Sequence, residues 1–311
     1  MTTESKWQKL PTEAINRRTL DIDAMPIDRI VALINREDRR TVSAVGKVQP
    51  QIAAAVKLII AALTEGGRVF FVGAGTSGRL GVLEAAEVPP TFGTPPSLVR
   101  AVIAGGEESV FRAREGAEDD YADGVRQMER VTLSKRDVVV GVSASGVTEF
   151  VRGALTRARR VRARRVLVTC RPGTDRALAD VTIALDVGPE VIAGSTRMKA
   201  GTATKLVLNM LTTIPMVRIG KTYGNLMVDV RTGSAKLKDR ATRMVTMVTG
   251  VPRPEATALL ARSGGNVKTA IVMARTGASA AGARGRLRRA GDSMRVALGE
   301  DLRAVLRRQR K

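Results

Sequence analysis

The chain of 311 residues is predicted to be an α/β protein with a doubly wound parallel sheet, a helical N-terminal segment and a small C-terminal helical bundle. Short, almost wholly apolar runs alternate with stretches of helical periodicity from residue 68 to residue 185. Buried parallel strands have this near-continuous apolar character. After Thr249 and Gly250 the strand patterns stop, and short helical patterns separated by glycine-containing turns follow.

The elements follow from these patterns in order. Residues 1–25 form a polar arm, and helices are predicted at Ile27–Ile34 and Thr41–Thr64, the second closed by Gly66 and Gly67. The predicted strands are Arg68–Val72, Ser97–Ile103, Asp137–Val142, Arg165–Thr169 and Val181–Leu185. The helices predicted between and after them are Ser77–Val88, Glu108–Glu129, Glu149–Val161, Asp175–Ala179 and Ala200–Met216. Such an open sheet carries its site at the carboxyl ends of the strands.

Three segments are predicted along the chain. Residues 1–54 hold the arm and first helices, residues 55–249 form the α/β domain with its long helix, and residues 250–311 form the bundle and a basic tail. The bundle comprises Pro254–Arg262, Val267–Arg275 and Ser279–Ala290, which resemble a ubiquitin-associated (UBA-like) three-helix module. A structural role is expected for it.

The amino-acid composition excludes several types of catalytic and metal-binding site. The chain has no histidine and one cysteine, Cys170. A Ser-His-Asp triad and a histidine-ligated metal are therefore excluded, a zinc site is disfavoured, and acid/base work falls to Glu, Asp, Lys or Tyr. We expect no metal site. No run approaches the ~20 apolar residues that span a membrane, and a cytoplasmic protein without membrane partners is expected.

The net charge of +22 admits a nucleic-acid-binding role. That role rests on charge alone, and the ordinary amphipathic and buried patterns of the long segments favour an arginine-rich proteome as the explanation. The charge concentrates around residues 152–165 and in the tail after Val251. Nucleic acid is not expected as a partner.

Three turns rich in hydroxyl groups each precede a predicted helix. The first hydroxyl turn contains Thr76, Ser77 and Gly78, the second contains Ser143, Ser145 and Gly146, and the third contains Ser195, Thr196 and Lys199. Hydroxyls and free N–H groups at a helix N-terminus suit a phosphate monoester. The first turn also matches the dinucleotide fingerprint, but the acidic residue wanted about 20 positions later is absent. Each turn taken alone is equally compatible with an ordinary helix cap.

Two groups of carboxylates are candidate acids and bases. Glu87 is predicted in the last turn of its helix, before Pro89 and Pro90, where the helix dipole disfavours the charged form. Glu115 and Glu118 are predicted on one helix face, where like charges raise at least one pKa. A solvated helix face is the alternative explanation for both groups.

Long motifs in the chain resemble the N-acetylmuramic acid 6-phosphate etherases, a sugar isomerase (SIS) domain family. They are Gly-Ala-Gly-Thr-Ser-Gly-Arg-Leu-Gly-Val-Leu-x-Ala-x-Glu-x-Pro-Pro-Thr-Phe at 73–92, Glu-Gly-Ala-Glu-Asp at 115–119, Gly-Pro-Glu-Val-Ile-x-Gly-Ser-Thr-Arg-Met-Lys-Ala-Gly-Thr-Ala at 188–203 and Tyr-Gly-Asn-Leu-Met-Val-Asp-Val at 223–230. The resemblance covers roughly residues 10–290. It departs from the family pattern at Val147, Glu149 and Phe150, where Arg, Pro and Tyr are usual.

The resemblance implies a lyase that converts N-acetylmuramic acid 6-phosphate to N-acetylglucosamine 6-phosphate and D-lactate by elimination and hydration, in peptidoglycan recycling. It implies Glu87 as the proton donor to lactate, Glu118 as the second active-site carboxylate, and phosphate binding by the hydroxyl turns. It also implies a cytoplasmic homodimer without a cofactor, and we expect its site at the subunit interface. A non-catalytic sugar-phosphate-binding regulatory protein and a phosphosugar isomerase remain alternatives.

Overall fold

The computed structural model describes residues 10–174, 176–230 and 233–308. These residues form two compact units, one from the described parts of Met1–Ala85 and Pro96–Thr212, the other from those of Ala86–Pro95 and Thr213–Lys311. The three-segment division drawn from the sequence stays a prediction.

The first unit contains the predicted sheet. Its strands are β1 (Val69–Gly73), β2 (Val99–Ile103), β3 (Val138–Ser143), β4 (Arg164–Thr169) and β5 (Val181–Ala184). All neighbours are parallel, in the order β2-β1-β3-β4-β5. Every residue of β1 and β3 is buried, as their unbroken apolar runs require. The predicted doubly wound parallel sheet is confirmed.

Helices α1 (Ile27–Lys47) and α2 (Gln49–Thr64) precede the sheet, with a 62° bend between them. The predicted gap between Ile34 and Thr41 was wrong, because the polar residues there are the solvent side of one continuous helix that still buries Leu33, Glu37 and Thr41. The break falls at Val48 instead, where Pro50 fits the first turn of a new helix. Among the described residues, no single helix is long and apolar enough to cross a membrane, although this bent pair passes that test of length and composition together.

Helix α3 (Gly75–Phe92) follows β1 and is longer than predicted. The expected stop at Pro89 and Pro90 was wrong. Prolines lack the N–H donor of an interior helix residue, yet hydrogen bonding resumes beyond them, since the Gly93 N–H donates to the Pro89 carbonyl at 2.9 Å. The Thr91 hydroxyl also donates to the Glu87 carbonyl at 2.8 Å.

Two further predicted helices are shorter in the structure or are replaced by 3₁₀ turns. The expected helix at Glu108–Glu129 is two 3₁₀ turns, Glu107–Val110 and Ala117–Asp119, followed by α4 (Tyr121–Arg130). Left-handed Gly116, with φ of +73°, interrupts the helical pattern. The expected helix at Asp175–Ala179 is a 3₁₀ turn, Arg176–Leu178, and Asp175 itself lies outside the described residues.

Helix α5 (Glu149–Arg160) packs closely on α4 through glycines. A Cβ placed on Gly124 would lie 2.0 Å from the Phe150 carbonyl oxygen, and one on Gly153 would lie 2.1 Å from the Tyr121 carbonyl oxygen. The backbones therefore meet directly. This pair covers one side of the sheet, with Phe150 and Leu155 fully buried in the core.

The long helix α6 (Lys199–Arg218) follows the sheet, close to its predicted extent. In the second unit, the three predicted bundle helices are present as α8 (Arg253–Arg262), α9 (Val267–Thr276) and α10 (Ala280–Arg289). They share one apolar core with α7 (Ala235–Thr249), α11 (Met294–Leu298) and α12 (Leu302–Arg308). The bundle is thus larger than the three helices expected.

Candidate active site

The first two hydroxyl turns leave the carboxyl ends of adjacent strands. Gly73 at the end of β1 pairs in register with Val142 of β3. The strand order reverses direction between β1 and β3, which is where open α/β sheets bind ligands. The sheet therefore brings these two turns to one crevice.

The first hydroxyl turn is shaped by glycines that allow close packing. A Cβ on Gly73 would lie 2.8 Å from the Gly78 nitrogen, and one on Gly78 would lie 2.6 Å from the Ile103 side chain. Gly78 is buried by this packing, whereas Thr76 and Ser77 are half-buried in the first turn of α3. Their hydroxyls and the free N–H groups of that turn form a potential anion cradle.

The two serines of the second hydroxyl turn, Ser143 and Ser145, differ in their hydrogen bonding. The buried Ser143 hydroxyl lies 2.8 Å from the Thr148 hydroxyl and accepts the Gly146 N–H at 3.0 Å, so it organises the turn itself. Gly146 has φ of +72°, and a Cβ there would lie 2.9 Å from the Thr169 hydroxyl. Ser145 is half-buried, and its hydroxyl accepts the Val147 N–H at a long 3.4 Å. Ser145 is therefore the serine of this turn best placed to meet a ligand.

The third hydroxyl turn lies against the first. A Cβ on Gly201 would lie 3.5 Å from the Thr76 methyl group and 3.5 Å from the Thr196 carbonyl oxygen. Ser195 and Thr196 are half-buried. The second and third turns are joined by Cys170, whose N–H donates to the Ala144 carbonyl at 3.0 Å and whose Sγ lies 3.9 Å from the Ala200 carbonyl oxygen.

Two buried carboxylates that sequence reasoning missed organise this third turn. Glu190 accepts the backbone N–H groups of Lys199 and Ala200 at 3.0 and 2.9 Å, so the first donors of α6 are already occupied. Glu37 accepts the Lys199 ammonium at 2.8 Å, and both side chains are almost completely buried. Lys199 was predicted to bind substrate, but in the structure its ammonium group forms an ion pair with Glu37. Only burial reveals this pairing, because 162 residues separate the two.

The pKa values of this buried cluster diverge. Burial would raise the pKa of Glu37, but hydrogen bonds from Lys199 and Asn16, with the charge of Arg18, lower it below the ordinary glutamate value. Burial raises the pKa of Glu190 despite its two backbone hydrogen bonds. Glu37 is thus held as the anion that Lys199 requires.

Glu118 lies in the 3₁₀ turn Ala117–Asp119 and lines a cavity of about 170 Å³ together with Gly75 of the first hydroxyl turn. Glu118 is exposed at the mouth of this cavity, and partial desolvation of its carboxyl, followed by the like charges of Asp119 and Glu115, raises its pKa above the ordinary glutamate value. The expected helix face shared by Glu115 and Glu118 was wrong, since no helix connects them, but the charge coupling is present. A carboxyl whose pKa lies above the ordinary value beside an anion cradle is suited to proton transfer.

Glu87 is exposed on α3, eleven residues after Thr76. It does not lie in the last turn, because the helix continues to Phe92, and the helix-dipole argument for its protonation loses its basis. Its neighbour Glu84 is buried and engaged, accepting hydrogen bonds from Lys205 and from the Thr212 hydroxyl.

Comparisons with known proteins define the family. The family model of the glucokinase regulatory protein N-terminal SIS domain matches residues 51–159. The N-acetylmuramic acid 6-phosphate etherase of Rubrobacter xylanophilus is 49% identical over 298 residues, covering 96% of this chain and 98% of that protein. The chain belongs to the N-acetylmuramic acid 6-phosphate etherase family.

A second etherase, from Symbiobacterium thermophilum, is 52% identical over 265 residues, with 85% of this chain and 88% of that protein covered. Among solved structures, a phosphoheptose isomerase from Francisella tularensis is 16% identical with a TM-score of 0.45, covering 60% of this chain and 99% of that chain. Membership in the etherase family, expected from the motifs at 73–92 and 188–203, is confirmed. The individual site residues stay predictions.

Proposed function

We propose that this chain cleaves the D-lactyl ether of N-acetylmuramic acid 6-phosphate and adds water, releasing D-lactate and N-acetylglucosamine 6-phosphate. Near full-length identity of 49% to an etherase carries this proposal. The geometry supports it, because two hydroxyl turns leave adjacent strand ends, the third lies against the first, and a carboxyl with raised pKa lies beside the first turn.

The phosphate group would bind where the turns meet. Thr76 and Ser77 offer hydroxyls and the N–H groups of the α3 N-terminus, while Ser145, Ser195 and Thr196 offer hydroxyls from the other two turns. Ser143, Gly78 and Gly146 act by shaping these turns, and Lys199 acts through Glu37 to fix the start of α6.

The chemistry needs a base, an acid and water. Opening of the sugar ring gives an aldehyde that makes the C2 proton acidic. Glu118 removes that proton, the electron pair forms the C2–C3 double bond, and the C3–O bond breaks as Glu87 protonates the leaving lactate oxygen. Water then adds at C3, with Glu87 taking its proton and C2 regaining one, so the net change is addition of one water and loss of lactate.

The position of Glu87 supports a site built by two copies of the chain. Glu87 is exposed on α3, so its carboxylate is accessible to a second copy of the chain. We propose a homodimer in which Glu87 of one copy serves the hydroxyl turns of the other. A cytoplasmic location is part of the proposal, because sugar phosphates are intracellular metabolites.

Release of D-lactate from N-acetylmuramic acid 6-phosphate in H₂¹⁸O tests the proposal. The wild type is expected to release lactate and to place ¹⁸O at C3 of the sugar product, and both signals should be lost in Glu87→Gln and Glu118→Gln. Glu255→Gln, which alters an exposed glutamate on α8, is the control. Binding of the sugar phosphate without lactate release would favour a regulatory protein, and turnover of glucosamine 6-phosphate without lactate would favour an isomerase.

A further inference from the structure

The cavity beside Glu118 has the features of a second anion site. It lies where β1 and β2 end, against the first turn of α3 and the loop at 105–118. Its lining includes Arg79, Ser109 and Arg114, together with the carboxylates of Glu115 and Glu118.

Two guanidinium groups line this cavity, and each is oriented by a backbone carbonyl. Arg79 donates through Nε to the Val110 carbonyl at 2.8 Å, and Arg114 donates through Nη1 to the Gly105 carbonyl at 3.3 Å. In the described part of the chain neither forms an ion pair. Each arginine is oriented by one backbone bond and keeps most of its five N–H donors for a ligand.

Ser109 supplies an independent indication of a ligand. It is 5% exposed, and its hydroxyl has no hydrogen-bond partner among the described residues. A Cβ on Gly105, whose φ is +79°, would lie 2.4 Å from that oxygen, so glycine keeps the space open. Buried hydroxyls are normally satisfied, and this one lines the cavity.

The volume selects the kind of group that fits. About 170 Å³ is the space of five or six waters at ~30 Å³ each, which is too small for a whole sugar phosphate. A lactyl group has six heavy atoms, and its planar carboxylate matches the fork of an arginine. The lactyl ether is on C3, next to the C2 proton, so a lactyl group held here brings that proton towards Glu118.

We propose that Arg79, Arg114 and Ser109 bind the lactyl carboxylate of the substrate and thereby select a lactyl sugar phosphate over other sugar phosphates. This inference rests on the proposed etherase function. Ser109 donates its hydroxyl hydrogen to the carboxylate, and the two arginines neutralise its charge.

Comparing two substrates tests the subsite: N-acetylmuramic acid 6-phosphate and its lactyl amide, which has the same shape without the charge. We expect the wild type to favour the acid in kcat/KM by at least about tenfold, since charge-assisted hydrogen bonds are roughly twice as strong as neutral ones. Arg114→Met and Ser109→Ala should each reduce this preference, and Arg79→Met with Arg114→Met should abolish it. Arg112→Met, an exposed arginine of the same loop outside the cavity lining, should leave it unchanged.

Binding of N-acetylglucosamine 6-phosphate, which lacks the lactyl group, serves as the check on folding and on the phosphate site. It should be unaffected in Arg114→Met and Ser109→Ala, and those two variants decide the matter if Arg79→Met fails to fold. If the wild type and the variants show the same ratio of kcat/KM for the acid and the amide, the proposed subsite is wrong. The etherase function would still stand in that case. Failure of the wild type to release lactate from either substrate would instead overturn the function.

Discussion

We expect Glu87 and the hydroxyl turns to act together only when they come from different subunits. The perturbation is a pair of substitutions, Glu87→Gln and Ser145→Asp, in dimers assembled from two differently tagged chains. Glu87→Gln removes the proposed acid, and loss of such a group lowers rates by about 100- to 10,000-fold. Ser145→Asp places a negative charge at a half-buried hydroxyl of the proposed phosphate site.

The expected magnitude follows from the proposed arrangement, in which Glu87 and the hydroxyl turns of one chain belong to different sites. A dimer with one substitution on each chain then keeps one intact site, made of the turns of the Glu87→Gln chain and Glu87 of the other. Its rate should be about half that of the wild-type dimer, because one of two symmetric sites remains.

The matched control carries both substitutions on one chain and none on its partner. Each of its sites then contains one defect, and lactate release should be near zero. Tandem affinity purification isolates each dimer, and lactate is measured by coupled oxidation. An active control with an inactive mixed dimer would refute the reasoning and place the whole site within one chain.

Further changes test the packing around the site. Lys199→Met leaves buried Glu37 without its main cation, and urea unfolding should show a loss of about 3 kcal/mol, with no loss refuting the buried pair. Gly153→Ala drives a methyl group into a backbone carbonyl of α4 and should destabilise by about 1–3 kcal/mol, whereas Gly46→Ala, in open space within α1, should stabilise by about 0.5–1 kcal/mol. Burial raises the pKa of Cys170 to about 12, so iodoacetamide at pH 8 should label the thiol only after unfolding, and rapid labelling of the native protein would contradict its burial.

The sequence predicts the sheet well because parallel strands buried on both faces leave unbroken apolar runs such as those of β1 and β3. It also identifies the hydroxyl turns, since each directly follows such a run or opens a helix. Local patterns fail at Pro89 and Pro90, where a helix continues beyond residues that usually end one. They fail again at 108–129, where Gly116 turns the chain and an acidic helical pattern becomes two 3₁₀ turns.

Long-range pairing determines the surroundings of Lys199, which the local sequence does not indicate. A lysine at the start of a helix, next to Ser195 and Thr196, has the sequence appearance of a phosphate ligand. Its partner Glu37 belongs to a helix 162 residues earlier, and no local pattern indicates that contact. For the same reason the sequence does not indicate a role for Arg79 and Ser109, because they line a cavity formed by separate segments of the chain.

In this histidine-free chain, some carboxylates are hydrogen-bonded within the protein and others are not, and this difference bears on which of them can transfer protons. Glu37, Glu84 and Glu190 are each buried and occupied, by lysine ammonium groups, a hydroxyl or backbone N–H groups. A carboxylate held in this way is buried and already accepts hydrogen bonds from the protein, so it serves to fix the surrounding turns and helices. Glu87 and Glu118 accept no hydrogen bond through their side chains from any described residue. Proton transfer requires such an unengaged carboxylate. Among the described residues Glu107, Glu108, Glu115 and Glu255 are also unengaged, so the proposed roles of Glu87 and Glu118 as acid and base depend on the lactate-release test of their Gln variants.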